Sequence, residues 1–138
     1  PNVTSIPRMA HAAAQAGADA LSLVNTFVGM AIDANTRKPR ISNITAGLSG
    51  PAIKPIALRM VYEAAHSVDI PVIGMGGITT GEDVVEFMLA GAAAVQVGTA
   101  NYFDPCATER IVGDLERWCI EHRVKAVTDL TGALETSG

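Results

Sequence analysis

Apolar positions in this chain follow two rhythms, one helical and one short and continuous, with glycine at most changeovers. Ile6, Met9, Ala10 and Ala13 recur at helical spacing behind a Thr4–Ser5 start and Pro7, and Gly17 supplies the stop. Residues 20–24 read as a short buried strand that ends at two polar residues, Asn25 and Thr26. Periodicity is lost from Gly29 to Gly50, which predicts a long excursion with short extended pieces. Loops of that length are uncommon in compact domains and are often functional. A helix is predicted from Pro51 to Ser67, with Ile53, Ala57, Met60, Val61, Ala64 and Val68 as its apolar stripe.

The alternation then repeats. Residues 71–75 form a second strand running into Gly76-Gly77, and Thr79/Glu82 and Thr80/Asp83 both have capping-box spacing. Val84, Val85, Met88 and Leu89 mark the buried face of the next helix, which Gly91 ends. Residues 94–97 are a third strand, terminating at Gly98-Thr99. Asp104-Pro105 opens a last helix with Ile111, Leu115, Trp118 and Cys119 on one side, and the tail from Asp129 is a weaker helix or coil. Residues 16–21 echo residues 90–95 at an offset of 74 (90 − 16), each a helix end, a glycine and a buried strand. Strand and helix alternating in this way imply right-handed parallel βα units. Three strands close no barrel, so the count predicts part of a larger α/β architecture.

Composition sharpens this picture. The chain has 138 residues, 49% hydrophobic and only 17% charged, against about a quarter charged in ordinary soluble domains. Either its elements are buried on both faces, as parallel strands are, or an apolar face awaits a partner. A net charge of −4 and the lack of a basic, aromatic-studded stripe argue against nucleic acid. The one basic cluster, Arg37, Lys38 and Arg40, reads as a solvated loop, with contact to an anion as the lesser alternative. The longest apolar stretch, Phe87 to Val95, is far short of the roughly 18 residues of a membrane span. No signal region opens the chain, which starts at Pro1 and so reads as a fragment, a processed chain or an incomplete one. Cys106 and Cys119 lack metal-binding spacing and read as buried helix thiols, pointing to a reducing cytoplasm.

Candidate chemistry sits at the three strand ends. Ligands of α/β barrels bind at the carboxyl ends of the strands. Gly76-Gly77 and Gly98-Thr99 lie one βα unit apart, and each offers bare backbone N–H groups with no Cβ in the way. Thr99 adds a hydroxyl, and residues 100–103 suit the short extra helix of a phosphate site. Either glycine pair alone could be a plain turn; together they favour phosphate. No Gly-x-x-x-x-Gly-Lys or strand-linked GxGxxG is present. Asn25-Thr26 can read a planar amide edge without placing a charge in the pocket, or can simply form an Asx-type turn. Gly47 and Gly50 are either flexible loop residues or another backbone approach to a ligand at a helix start. His11, His66 and His122 form no readable triad, and no carboxylate falls at a strand end. The segment offers ligand grips without a general base.

Four motifs in order, residues 24–33 (VNTFVGMAID), 47–55 (GLSGPAIKP), 73–78 (IGMGGI) and 97–101 (VGTAN), closely resemble class 1 dihydroorotate dehydrogenases, nearest to the B-type catalytic subunit. The opening Pro-Asn-Val-Thr resembles the segment just after that family's fifth barrel strand. The resemblance implies the C-terminal portion of a (β/α)8 TIM barrel: about three parallel βα units within one FMN-binding domain, incomplete alone, spanning 1–138. By resemblance, Asn25 and Thr26 contact orotate or dihydroorotate, Val24 and Gly50 line the flavin, and Gly76, Gly77, Gly98 and Thr99 hold the FMN phosphate region. It further implies a homodimer and an electron-transfer subunit carrying FAD and an iron–sulfur cluster. The family's catalytic base is a cysteine in the other barrel half, so Cys106 and Cys119 do not inherit that role and the segment alone is expected to be inactive. The competing expectations are a flavin-free phosphate-binding barrel isomerase or lyase, and a non-catalytic half-barrel assembly module.

Overall fold

A computed structural model describes residues 3–136. Pro1 and Asn2, which open the quoted first segment, lie outside the described residues. Helix α1 (Ile6–Gln15) starts where the sequence predicts: Ser5 is extended, its Oγ accepts the Arg8 N–H at 3.5 Å, and Pro7 occupies the first turn. Gly17, at φ +90°, turns the chain into strand β1 (Leu21–Leu23).

The 29–50 excursion is more ordered than periodicity suggested. Strand β2 (Phe27–Met30) pairs antiparallel with β5 (Thr45–Leu48), and β3 (Ile32–Asp33) with β4 (Lys38–Pro39) nests between them. The Asp33 carboxylate accepts the N–H groups of Asn35 and Thr36 at 2.9 and 3.1 Å, which closes the inner hairpin. All four residues of β5 are exposed, so no in–out alternation announced it. Its order comes from backbone pairing, which leaves no mark in hydropathy.

The helix expected from Pro51 begins as a 3-10 turn (Pro51–Ile53) and continues as α2 (Lys54–Ala65). Strand β6 (Val72–Met75), helix α3 (Gly81–Leu89), strand β7 (Ala94–Gln96), the short α4 (Ala100–Phe103) and α5 (Ala107–Glu121) follow, and a 3-10 turn at Val127–Leu130 ends the tail.

Strands β1, β6 and β7 form one parallel sheet in the order β1-β6-β7, with Leu23, Gly74 and Val95 in register. Because side chains alternate across a strand, Leu21, Leu23, Val72 and Val95 share one face, which α1, α2 and α3 cover, with α5 packed on α3. The core is there. Phe87, fully buried, lies over Gly74, where a methyl group would come within 2.6 Å of its ring. Burying that ring stabilises the fold by roughly 2–3 kcal/mol. The predicted face of α3 omitted Phe87 and included Leu89, which is only half-buried. Helix α3 is gripped by the sheet and by α2 and α5 at once, so its apolar surface is wider than one stripe. The opposite sheet face carries Ser22, Ala94 and Gln96, all exposed. Among the described residues, β1 and β7 each keep an unpaired edge. This is the expected piece of a parallel barrel, three βα units with helices outside and an open lumen inside.

Candidate functional site

The parallel sheet puts the three strand ends on one side, and they open into one cavity of about 410 Å³. It is lined by Val24, Asn25 and Thr26 after β1, Gly76 and Gly77 after β6, Gly98 and Thr99 after β7, and Gly50 before the 3-10 turn. The eight residues that the resemblance implies as ligand contacts meet here, and Gly47 does not. A Cβ on Gly76 would lie 3.3 Å from Val24 Cγ2, one on Gly77 would lie 2.9 Å from the Gly50 carbonyl, and one on Gly50 would lie 3.7 Å from Thr99 Cγ2. These residues therefore run around one wall as neighbours. No residue lining the cavity is charged, so what it offers an anion is neutral donors: backbone N–H groups and hydroxyls.

Gly76 and Gly77 have φ of +129° and +78°, which side-chain-bearing residues rarely adopt, and Gly77 lies directly on the start of α2. The turn is held from below by Asp83. Its Oδ2 accepts from the Thr79 N–H at 2.7 Å, the Thr79 hydroxyl at 3.0 Å and the Thr80 N–H at 2.9 Å. The Thr80 hydroxyl in turn accepts the Asp83 N–H at 3.1 Å. Of the two capping boxes the spacing allowed, only Thr80/Asp83 forms, because the Thr79 hydroxyl is given to Asp83 and Glu82 stays exposed. Asp83 Oδ1 receives Lys54 Nζ at 2.6 Å, and Lys54 also reaches Glu86 Oε2 at 2.8 Å. Burial pushes the Asp83 carboxyl up, but the bonds from Lys54, Thr79 and Thr80 outweigh it and hold the group below its ordinary value. Burial pushes Lys54 down, and its two carboxylate partners carry it above its ordinary value.

The second turn is looser. A methyl group on Gly98 would meet nothing within 4 Å. The Thr99 hydroxyl makes no capping bond although Thr99 begins α4. Behind the turn, Asn101 Nδ2 donates to the Val97 carbonyl at 3.1 Å and Asn101 Oδ1 accepts from the Thr108 hydroxyl at 2.9 Å, tying the strand end to α5.

At the end of β1, Asn25 Oδ1 accepts the Thr26 N–H at 2.7 Å. The local-turn reading of Asn25 thus holds for its oxygen, which leaves the amide NH2 as the group available to a ligand. Gly47 lies in β5 against the Thr26 side chain, which a methyl group there would overlap. Its small size serves strand packing, whereas Gly50 is the one that reaches the cavity. Sequence reasoning missed three polar lining residues, Ser49, Thr79 and Gln96. Gln96 Oε1 accepts from the Ser22 hydroxyl at 3.0 Å across the open face of the sheet. A polar residue inside a three-residue strand was the available signal.

The histidines stay structural. His66 and His122 each turn Nδ1 to the carbonyl four residues back, at 2.8 and 2.9 Å, and pack on Tyr62 and Trp118. Cys119 is half-buried on α5 as expected, but Cys106 is exposed, because it precedes the helix instead of facing its core. Neither thiol and no carboxylate lines the cavity. Among the described residues no helix is long and apolar enough to cross a membrane.

Comparison with known proteins gives the family. A family profile described as dihydroorotate dehydrogenase matches residues 1–118. The chain is 58% identical over 135 residues to the catalytic subunit of dihydroorotate dehydrogenase B (NAD(+)) of Citrifermentans bemidjiense. It is 60% identical over 135 residues to the subunits of the same name from Pelobacter propionicus and Geobacter sulfurreducens. Each match covers 98% of this chain and 44% of the relative, so the chain spans under half the length of these proteins.

Proposed function

Because this chain belongs to the dihydroorotate dehydrogenase family, we propose that the full-length protein is an FMN-dependent enzyme that oxidises dihydroorotate to orotate in cytoplasmic pyrimidine biosynthesis. Residues 1–138 are then the C-terminal half of one FMN-binding barrel domain. The observation that carries this reading is the meeting of two glycine turns and Asn25-Thr26 around one uncharged cavity. Its volume suits a small-molecule ligand (pockets of about 300–1,000 Å³), and its bare N–H groups suit a phosphate that must be approached by backbone.

When bound, the flavin supplies the hydride acceptor. The chain's own residues bind and orient. Gly76, Gly77 and Gly98 present N–H groups to the phosphate and Thr99 presents its hydroxyl, while Val24 and Gly50 supply a wall that excludes water from the ring system. Asn25 and Thr26 read the amide edge of the pyrimidine. Cys106 and Cys119 lie away from the cavity, which supports placing the proton-abstracting base outside this segment and supports inactivity of the segment alone. A homodimer, and a second subunit with FAD and an iron–sulfur cluster passing electrons to NAD, complete the proposal; relatives named as catalytic subunits support a partner.

The test is titration of full-length apoprotein with FMN, then of the flavoprotein with orotate. Wild type should bind both. Asn25→Ala should weaken orotate binding about tenfold, the weight of one lost well-placed hydrogen bond, with FMN affinity unchanged. A protein that takes up no flavin overturns the proposal.

A further inference from the structure

Lys54 and Asp83 lie outside the cavity lining, yet they join the two segments that bring Gly50 and Gly77 to it. Lys54 opens α2 four residues after Gly50, and its backbone N lies 2.9 Å from where a Gly77 Cβ would stand. Its side chain crosses to α3, reaching Asp83 at 2.6 Å and Glu86 at 2.8 Å. Asp83 uses its second oxygen on three donors of Thr79 and Thr80, the residues that continue the Gly76-Gly77 turn. One carboxylate thus fixes the start of the helix that follows Gly50 and its 3-10 turn, the turn that carries Gly77 and the start of α3. From these contacts we infer that Lys54, acting through Asp83, positions the Gly50 and Gly77 backbones for the phosphate group of the flavin, so that the Lys54 side chain sets affinity for that group more than the stability of the fold.

The inference rests on the reading that this turn receives a phosphate. Two features separate positioning from mere stabilisation. The Lys54 side chain is 26% exposed, and ion pairs that reach solvent contribute only about 0–1 kcal/mol to global stability. Its cation is also spent on two carboxylates, so it acts through the turn and not as a direct counter-ion. A shift of well under an ångström in preorganised donors is enough to weaken an anion site.

The experiment compares FMN with riboflavin, which lacks the phosphate, as ligands of full-length apoprotein, read by quenching of flavin fluorescence. Wild type should prefer FMN. Lys54→Met should lose about tenfold in FMN affinity and less than about twofold in riboflavin affinity, and Lys54→Arg should restore most of the difference. Glu86→Gln, which leaves the Asp83 bonds in place, should show a milder selective loss of about two- to threefold, and it serves if Lys54→Met does not fold. Equal loss for both flavins with a lowered thermal midpoint, or no loss for either, overturns the positioning role while wild-type preference for FMN leaves the phosphate reading intact. Equal wild-type affinity for the two flavins removes the phosphate reading and this inference with it.

Discussion

The two glycine turns lie on adjacent strands and face one cavity, yet they are built in opposite ways. At 76–77 both glycines have left-handed backbones, and methyl groups would stand 2.8 Å from Ala57 Cβ and from Lys54 Cβ. Asp83 ties the residues that follow. At Gly98 the backbone is outside the left-handed region, and a methyl group would meet nothing. The fold itself requires glycine at 76 and 77. Nothing in the described protein requires it at 98. A glycine with empty space around it is therefore the better pointer to a ligand than one wedged into its own chain.

The largest expected effect tests the first half of that contrast. Gly77→Ala forces both an unfavourable φ and a collision with the start of α2. It should cost about 2–4 kcal/mol of stability, from left-handed strain plus overpacking, measured by urea unfolding of the full-length protein. A cost under about 0.5 kcal/mol, the range of neutral surface changes, would show that the turn can open without the fold noticing.

Next in size is the tie beneath that turn. Asp83→Asn should cost about 1–3 kcal/mol, because it removes a charged acceptor from four donors in a nearly buried place. The same groups fix the pH dependence. The Asp83 carboxyl sits below its ordinary 3.8, so its contribution is present above that value and is lost as pH falls through the lower folded value. Lys54 sits above its ordinary 10.5, so its contribution is present below that value and is lost as pH rises through the higher folded one. Unfolding midpoints should show a plateau between these limits, and Asp83→Asn should flatten the acid side. An unchanged acid limb in the variant would assign that limb to other groups.

Much of this could be read from the sequence, and the misses have physical causes. The βα alternation and the strand ends were visible, because glycine and short polar pairs at strand ends report backbone constraints directly, whereas Val24 was singled out only by family resemblance. The β2–β5 ribbon was not, since all of β5 is exposed and main-chain pairing leaves no hydropathy signal. Phe87 was overlooked because three neighbours, not one, cover α3. Gly47 and Gly50 looked equivalent in sequence. Only three dimensions show that one makes room for Thr26 and the other for the cavity. Asp83 was legible as a capping residue, but its pairing with Lys54 over 29 positions has no local signature.

Turning to the second half of the contrast, Gly98→Ala should leave unfolding within about 0.5 kcal/mol of wild type, since no atom contests the new methyl group. FMN affinity should nevertheless fall by about tenfold or more, because a methyl group at a bare amide holds the phosphate off its donors. A variant that binds FMN normally would remove this turn from the phosphate site and leave the 76–77 turn alone there.

Thr99→Val makes the smallest and most selective change. Valine keeps the shape and β-branching of threonine and removes only the hydroxyl, which caps no helix N–H in the structure. Stability should stay within about 0.5 kcal/mol. If the hydroxyl donates to the phosphate, its loss should weaken FMN binding by about three- to tenfold, at or below the value of one hydrogen bond to a charged group, with riboflavin binding unmoved. The direction of any departure is informative. Equal weakening of FMN and riboflavin would mean that the Thr99 hydroxyl serves the part common to both flavins, since valine keeps the methyl group that approaches Gly50, and the anion would then be held by backbone amides alone. Loss restricted to FMN would make the open turn a ligand-built half of the site, against the fold-built half at 76–77.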